Sequence, residues 1–309
     1  MKIKSAVFLV ESPMQLINAI EAKHYFGIQD SSIIIRYDGI AANDDHIDYV
    51  LKTIDNSFTR IINIILLYGK KNLYKMLIPL FVSIKYKPDY LFIGNYYSGY
   101  AKITRLLYPN RKCIYLDDGA QTTKLYYDNK NINLFSYFSF TEKFPDRMYI
   151  HHSFSYLKQK LSEKHQTVSK GVIYFIGTAL VENDLISESN YEKIVVSLVD
   201  HYSEYNIKYF PHRFENLEKL RAISQFEIVQ ANMPFELYLL QTKVLPEKIV
   251  SFYSAALYTV NSIMGDIVEV EAFRIPAEYF KNSEYAAKID NLYNYLSESL
   301  TIIEDNNDI

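Results

Sequence analysis

The chain has 309 residues, 49% of them hydrophobic and 22% charged, with a formal net charge of −3. That much apolar material excludes global disorder, the length fits two domains of about 150 residues each, and the absence of a basic excess argues against a nucleic-acid binder. The single cysteine, Cys113, excludes an internal disulfide and a cysteine zinc cluster and suits a reducing cytoplasm.

The opening MKIKSAVFLVESP holds only a short apolar run, broken by Glu11 and without a small-residue cleavage site, so it reads as a first strand rather than a signal peptide. PMQLINAIEAKHYFG follows with Leu16, Ile17, Ala19 and Ile20 at helical spacing and stops at Gly27. SSIIIRYD, FTRIINIILL, PDYLFIGNY, RKCIYLDDG and NLFSYFSF read as further strands, with HIDYVLKTI and GYAKITRLLYP as helices between them. Buried runs separated by helical stretches mark a parallel sheet covered on both faces. Within this half, YGKKNLYKMLIPLFVSIKYK sets Lys70, Lys71, Lys75, Lys85 and Lys87 around an apolar helix. Its apolar run falls short of the roughly 20 residues that span a bilayer. It reads either as a core helix with solvated ends or as a peripheral contact with an anionic membrane surface, which would be the inner face for a cytoplasmic protein.

The polar, lysine-rich LKQKLSEKHQTVSKG is the best boundary candidate and divides the chain into residues 1–160 and 161–309. The pattern then restarts. VIYFIGTAL, IKYFPHR, FEIVQ and KIVSFYS read as strands, ESNYEKIVVSLVDHYSEY and MPFELYLLQT as helices, and EYAAKIDNLYNYLSESLTIIE as one closing helix. The expected fold is therefore α/β and GT-B-like: two Rossmann-like doubly wound domains facing an interdomain cleft, with ligands at the strand C-termini. No GxGxxG or GxxxxGK[ST] run is present, which argues against a standard nicotinamide or P-loop site.

Polar residues at the predicted strand ends are the candidate site. In the first half they are Asp117 and Asp118 in CIYLDDGAQ, Ser12 and Gln15 in VESPMQ, and Asn95 in FIGNYYSGY. In the second they are Gly177 and Thr178 in FIGT, Pro211 and His212 in FPH, Glu236 in PFE, and Ser254 in FYSAAL. Each has an ordinary role as well: Asp and Gly end strands, a His beside Pro sits in turns, and Ser or Thr caps helices. Successive strand residues point to opposite faces, so Asp117 and Asp118 would not converge on one metal ion unless the turn reoriented them, and no metal is expected.

Taken in order, YLDDG, FIGT, FPH, PFE and LPEKIVSFYSAALYT resemble the bacterial sialyltransferases of GT-B fold, and VFLVESPMQLINAIEA is similar to the opening of their lipooligosaccharide and capsular polysialyltransferase branches. The resemblance implies an inverting transfer of sialic acid or a related nonulosonic acid from a CMP-activated donor to a hydroxyl of a bacterial surface glycan, with no cofactor. It implies Asp118 as general base, His212 against the donor phosphate, Glu236 on the cytidine or its ribose, and Ser254 with Gly177, Thr178 and Pro211 around the phosphate. Ser12, Gln15 and Asn95 would face the acceptor, and Asp117 would be structural, bonded to backbone around Gly119. Two departures stand out: Arg213 follows His212 where the family has proline, and Ala255 replaces the second hydroxyl after Ser254.

Overall fold

The computed structural model describes residues 2–65, 85–119, 121–129, 131–140, 144, 146–163, 166–212, 214–223, 226–231 and 233–304. Two compact units emerge, Met1–Lys160 and Leu161–Ile309. Most of the lysine-flanked segment, residues 66–84, lies outside the described residues.

The first unit is built on a parallel sheet with strand order β3-β2-β1-β4-β5-β6-β7. Its strands are β1 Ser5–Val10, β2 Asp30–Tyr37, β3 Arg60–Ile65, β4 Tyr90–Ile93, β5 Lys112–Tyr115, β6 Asn133–Ser136 and β7 Tyr149–His151. Four described helices connect them: α1 Pro13–Phe26, α2 Ala41–Thr53, α3 Gly99–Leu107 and α4 Gln121–Asp128. The apolar strands at the centre of the sheet, β1, β2 and β4, are buried on both faces along most of their length, as a helix-covered parallel sheet requires. Phe8 stacks on Phe92 at 4.7 Å between ring centroids, and Phe26 of α1 closes over Phe92 and Phe135 at 5.6 Å each. Local chemistry fixes α1 at both ends: Ser12 caps it, Pro13 occupies its first turn, and Gly27 stops it in the left-handed region at φ 64°.

The second unit repeats the plan with a parallel sheet ordered β10-β9-β8-β11-β12-β13. Its strands are β8 Thr167–Ile176, β9 Asn206–Phe210, β10 Glu227–Ile228, β11 Val244–Ser251, β12 Glu269–Phe273 and β13 Thr301–Ile303. Helix α5 Ser155–Ser162 carries the chain across the boundary, and α6 Glu188–His201, α7 Leu217–Ile223, α8 Phe235–Gln241, α9 Ala255–Met264 and α10 Ser283–Leu296 belong to this unit.

The lysine-rich stretch read as a boundary contains the division between the two units, at Lys160 and Leu161, with its first residues in α5 and its last in β8. Elsewhere the structure departs from the sequence reading. The closing helix is shorter than its periodicity suggests: α10 ends at Leu296, and Thr301–Ile303 instead pairs with Glu271, Ala272 and Phe273 of β12. The serines at 297 and 299 interrupt the helix, and a β-branched run suits the sheet edge. Strands β7 and β12 have no counterpart in the sequence reading. No described helix is long and apolar enough to cross a membrane.

Candidate functional site

In the first unit the crossovers diverge between β1 and β4, the switch point at which doubly wound sheets bind ligands. Leu9 pairs with Ile93 and Ile93 with Tyr115, so the ends of β1, β4 and β5 leave the sheet in step. Glu11–Ser12, Gly94–Asn95 and Asp117–Asp118 therefore line one edge. Gln15, in the first turn of α1 and only 2% exposed, crosses this edge. Its Oε1 accepts the Glu11 N–H at 2.8 Å, and its Nε2 donates to Asp118 Oδ1 at 2.6 Å. A backbone N–H can only donate, so the Glu11 bond sets the orientation of the carboxamide and aims its NH₂ at the carboxylate. A Cβ on Gly94 would overlap the Gln15 side chain, which explains the glycine at this strand end.

Asp118 is half-buried at the start of the turn into α4. Its N–H donates to Thr122 Oγ1 at 2.8 Å, and Gly119 makes the turn at φ 59°. Burial pushes the Asp118 carboxyl above its ordinary value; the Gln15 bond pulls it down, and the negative charges of Glu11 and Asp117 push it up again. Asp117 has a different environment. It is fully buried, with Oδ1 accepting from the Ser136 hydroxyl at 2.6 Å and Oδ2 from the Tyr137 N–H at 2.8 Å. The backbone partner thus comes from just beyond β6, not from around Gly119. The adjacent carboxylates hold separate sets of donors.

The three residues expected at the acceptor are engaged as follows. Ser12 Oγ accepts the Gln15 N–H at 3.3 Å as helix cap. Asn95 Oδ1 accepts the N–H groups of Tyr97 and Ser98 at 3.0 and 3.1 Å and shapes the turn into α3. Both are half-buried at the strand-end edge, whereas Gln15 is turned inward with both ends of its amide occupied. Gln15, expected at the acceptor, is bonded to Asp118 in the structure. Glu11 and Arg36, which the sequence reading did not select, pair beside them: Arg36 Nε and Nη2 each lie 2.7 Å from Glu11 Oε2.

The second unit has its own switch point between β8 and β11. Ile176 pairs with Phe210 on one side and Ser251 on the other, so the segments after β8, β9 and β11 emerge from one row. Two bonds lock the row: Gly177 N–H to the Phe210 carbonyl at 2.8 Å, and the Ser251 hydroxyl to the Ile176 carbonyl at 2.7 Å. Gly177–Thr178, Pro211–His212 and Ser254 are brought together at this edge. Thr178 Oγ1 is buried with no hydrogen-bond partner among the described residues. Ser254 caps α9, accepting the Ala256 N–H at 3.2 Å, which leaves its hydroxyl proton as a donor. His212 is exposed, and its Nδ1 accepts the Phe214 N–H at 3.4 Å, so the neutral ring carries its proton on Nε2.

Glu236 lies in the first turn of α8. Phe235 packs against Phe210 at 5.0 Å and sets this turn beside the end of β9. Burial pushes the Glu236 carboxyl upward, with its own N–H pulling it down.

Glu215 was missed by the sequence reading. Only 9% exposed, it accepts the Tyr209 hydroxyl and the His212 N–H, each at 2.6 Å, and returns its own N–H to the His212 carbonyl at 2.9 Å. Burial pushes its carboxyl up. The reciprocal spacing of three, as in a capping box, was the available signal in HRFE.

No family model matches the chain, and no curated protein matches it either. Solved structures do. The chain is similar to the UDP-GlcNAc 2-epimerase of Methanocaldococcus jannaschii (13% identity, 98% of this chain and 89% of that one, TM-score 0.59). It is similar to UGT73P12 of Glycyrrhiza uralensis complexed with glycyrrhetinic acid 3-O-monoglucuronide (12% identity, 99% and 83%, TM-score 0.55). A third is the UDP-GlcNAc 2-epimerase of Neisseria meningitidis bound to UDP-GlcNAc (12% identity, 97% and 95%, TM-score 0.53). With two parallel α/β sheets of seven and six strands among the described residues, the chain has the GT-B fold.

Proposed function

We propose that the protein is a cytoplasmic inverting glycosyltransferase that moves sialic acid or a related nonulosonic acid from a CMP-activated donor to a hydroxyl of a bacterial surface glycan. The observation that carries the reading is Asp118: a half-buried carboxylate at a sheet switch point, held through one oxygen by Gln15, with its proton affinity raised by burial. A base needs both features, a free oxygen and a pKa lifted toward working pH. The ordered motifs from YLDDG to FYSAALYT supply the choice of CMP over another nucleotide.

In this reaction the acceptor oxygen attacks the anomeric carbon as the bond from that carbon to the phosphate oxygen breaks. CMP departs with the electron pair, and the hydroxyl proton passes to Asp118 Oδ2. Direct displacement inverts the anomeric centre. Negative charge grows on the leaving phosphate, where His212 Nε2–H, the Ser254 hydroxyl and Thr178 Oγ1 are suited to receive it. The half-buried Glu236 is suited to the ribose hydroxyls or the cytosine amine.

The two neighbours named as UDP-GlcNAc 2-epimerases favour a second reading, a GT-B enzyme that uses a UDP sugar. Thermal shift with CMP, CDP, UDP and GDP separates the two. A ligand at 100 times its dissociation constant adds about 2.7 kcal/mol of stability. Stabilisation by CMP above the others supports the proposal; stabilisation by UDP alone replaces it with the second reading.

A further inference from the structure

We infer that Glu215 is a positioning residue that sets the His212 loop for departure of the phosphate, an inference that rests on the role proposed for His212. Glu215 touches no expected substrate group itself. Its Oε2 accepts the His212 N–H at 2.6 Å and its N–H donates to the His212 carbonyl at 2.9 Å, so two bonds tie Glu215 back to the His212 backbone. The carboxylate is held from the other side by the Tyr209 hydroxyl, which donates to Oε1 at 2.6 Å, with the Tyr191 hydroxyl at 3.4 Å from the same oxygen. Tyr209 is fixed in β9 and stacks on Phe175 of β8 at 5.3 Å, so the loop is referenced to the central strands of the sheet. Gly177 completes the arrangement, because a Cβ there would overlap Glu215 Oε2. A buried carboxylate that accepts from two tyrosines and a backbone amide gains nothing for a loop free to move. It gives the exposed His212 a defined origin, and a displacement of about 1 Å at a reacting group can lower a rate by about 10²-fold.

Glu215→Gln keeps the size of the side chain but places an NH₂ where either the Tyr209 hydroxyl or the His212 N–H must lose its acceptor. Release of CMP from CMP-N-acetylneuraminic acid by the full chain reads the consequence, with a galactose-terminated oligosaccharide or water as acceptor. Turnover should fall by about 10- to 10²-fold with little change in KM for the donor. In the His212→Ala background the same substitution should change turnover by no more than about 2-fold, since neighbouring groups that act through one another are not additive. Tyr209→Phe keeps the ring packing, removes one donor to Glu215, and serves if Glu215→Gln does not fold. Its smaller loss should likewise vanish in the His212→Ala background. Losses that multiply in the double variants overturn the inference and leave the reading of His212 standing. Wild-type turnover in His212→Ala, or no CMP release by the unaltered protein, overturns that reading and the inference with it.

Discussion

Gln15 and Asp118, 103 residues apart in the chain, are joined by a 2.6 Å hydrogen bond from Nε2 to Oδ1. The bond stabilises the ionised carboxylate and opposes the upward push of burial on Asp118. In Gln15→Ala the opposing contribution is gone, so the Asp118 carboxyl rises further. A base works only when deprotonated, and the acid limb of kcat/KM should therefore move to higher pH, with lower turnover on that limb. A pH–rate profile of the variant checks this. An unmoved acid limb removes Gln15 from the control of Asp118.

Asp118→Asn keeps the shape and the Gln15 contact while removing the base. Transfer should fall by about 10²- to 10⁴-fold with CMP affinity nearly intact. Stability should move the other way. The folded-state carboxyl binds its proton more tightly than the unfolded one, so the stability that Asp118 contributes is fully present below the ordinary carboxylate pKa of about 4 and is lost as pH rises through the folded value. At pH 7 the Asn variant should melt no lower than wild type, and that relative advantage should shrink as pH falls toward 3. Asp117→Asn has the opposite signature. It turns an NH₂ toward the Ser136 hydroxyl or the Tyr137 N–H in a fully buried site, costing about 1 to 3 kcal/mol of stability. Paired melting curves and transfer rates test the contrast; near-normal transfer by Asp118→Asn would end its candidacy as base.

The contrast between these aspartates also marks how far the sequence could be read. Strand ends were legible because the apolar runs of β1, β5 and β8 stop at polar residues, and α1 was legible in Ser12, Pro13 and Gly27, whose chemistry is local. The Gln15–Asp118 and Glu11–Arg36 pairs were not. They join separate elements, and no periodicity within either segment reports on the other. Glu215 carried a local signal, the three-residue return to His212, but its burial beneath Tyr209 and Tyr191 depends on strand packing. The closing segment misled in the other direction: an apolar period continued past Leu296, while pairing with β12 drew Thr301–Ile303 into the sheet.

Glu236 offers a test of the donor side that is independent of the base. If its carboxylate receives the ribose hydroxyls or the cytosine amine, Glu236→Ala should weaken CMP binding by roughly 1.5 to 3 kcal/mol, the range for a hydrogen bond to a charged group. Calorimetry on the folded variant measures it directly. Because burial raises the Glu236 carboxyl, its ionisation opposes folding, and the variant should not lose stability at pH 7 relative to pH 4 by more than wild type does. Unchanged CMP affinity would take Glu236 out of the site.

Gly94→Ala disturbs the candidate base from the neighbouring strand. The three atoms nearest an added Cβ all belong to the Gln15 side chain, so β4 should keep its pairing while the carboxamide is pushed aside. Asp118 then loses its donor without a change in either residue of the pair, and the acid limb of kcat/KM should shift as it does in Gln15→Ala. In the double variant Gly94→Ala/Gln15→Ala the truncated side chain makes room for the Cβ, so the profile should match Gln15→Ala alone, the non-additivity expected of groups in contact. Multiplied losses would mean that Gly94 acts by another route, through the backbone of the β4 turn that Asn95 organises. A normal profile in Gly94→Ala would mean that Gln15 can yield to the methyl group and still reach Asp118.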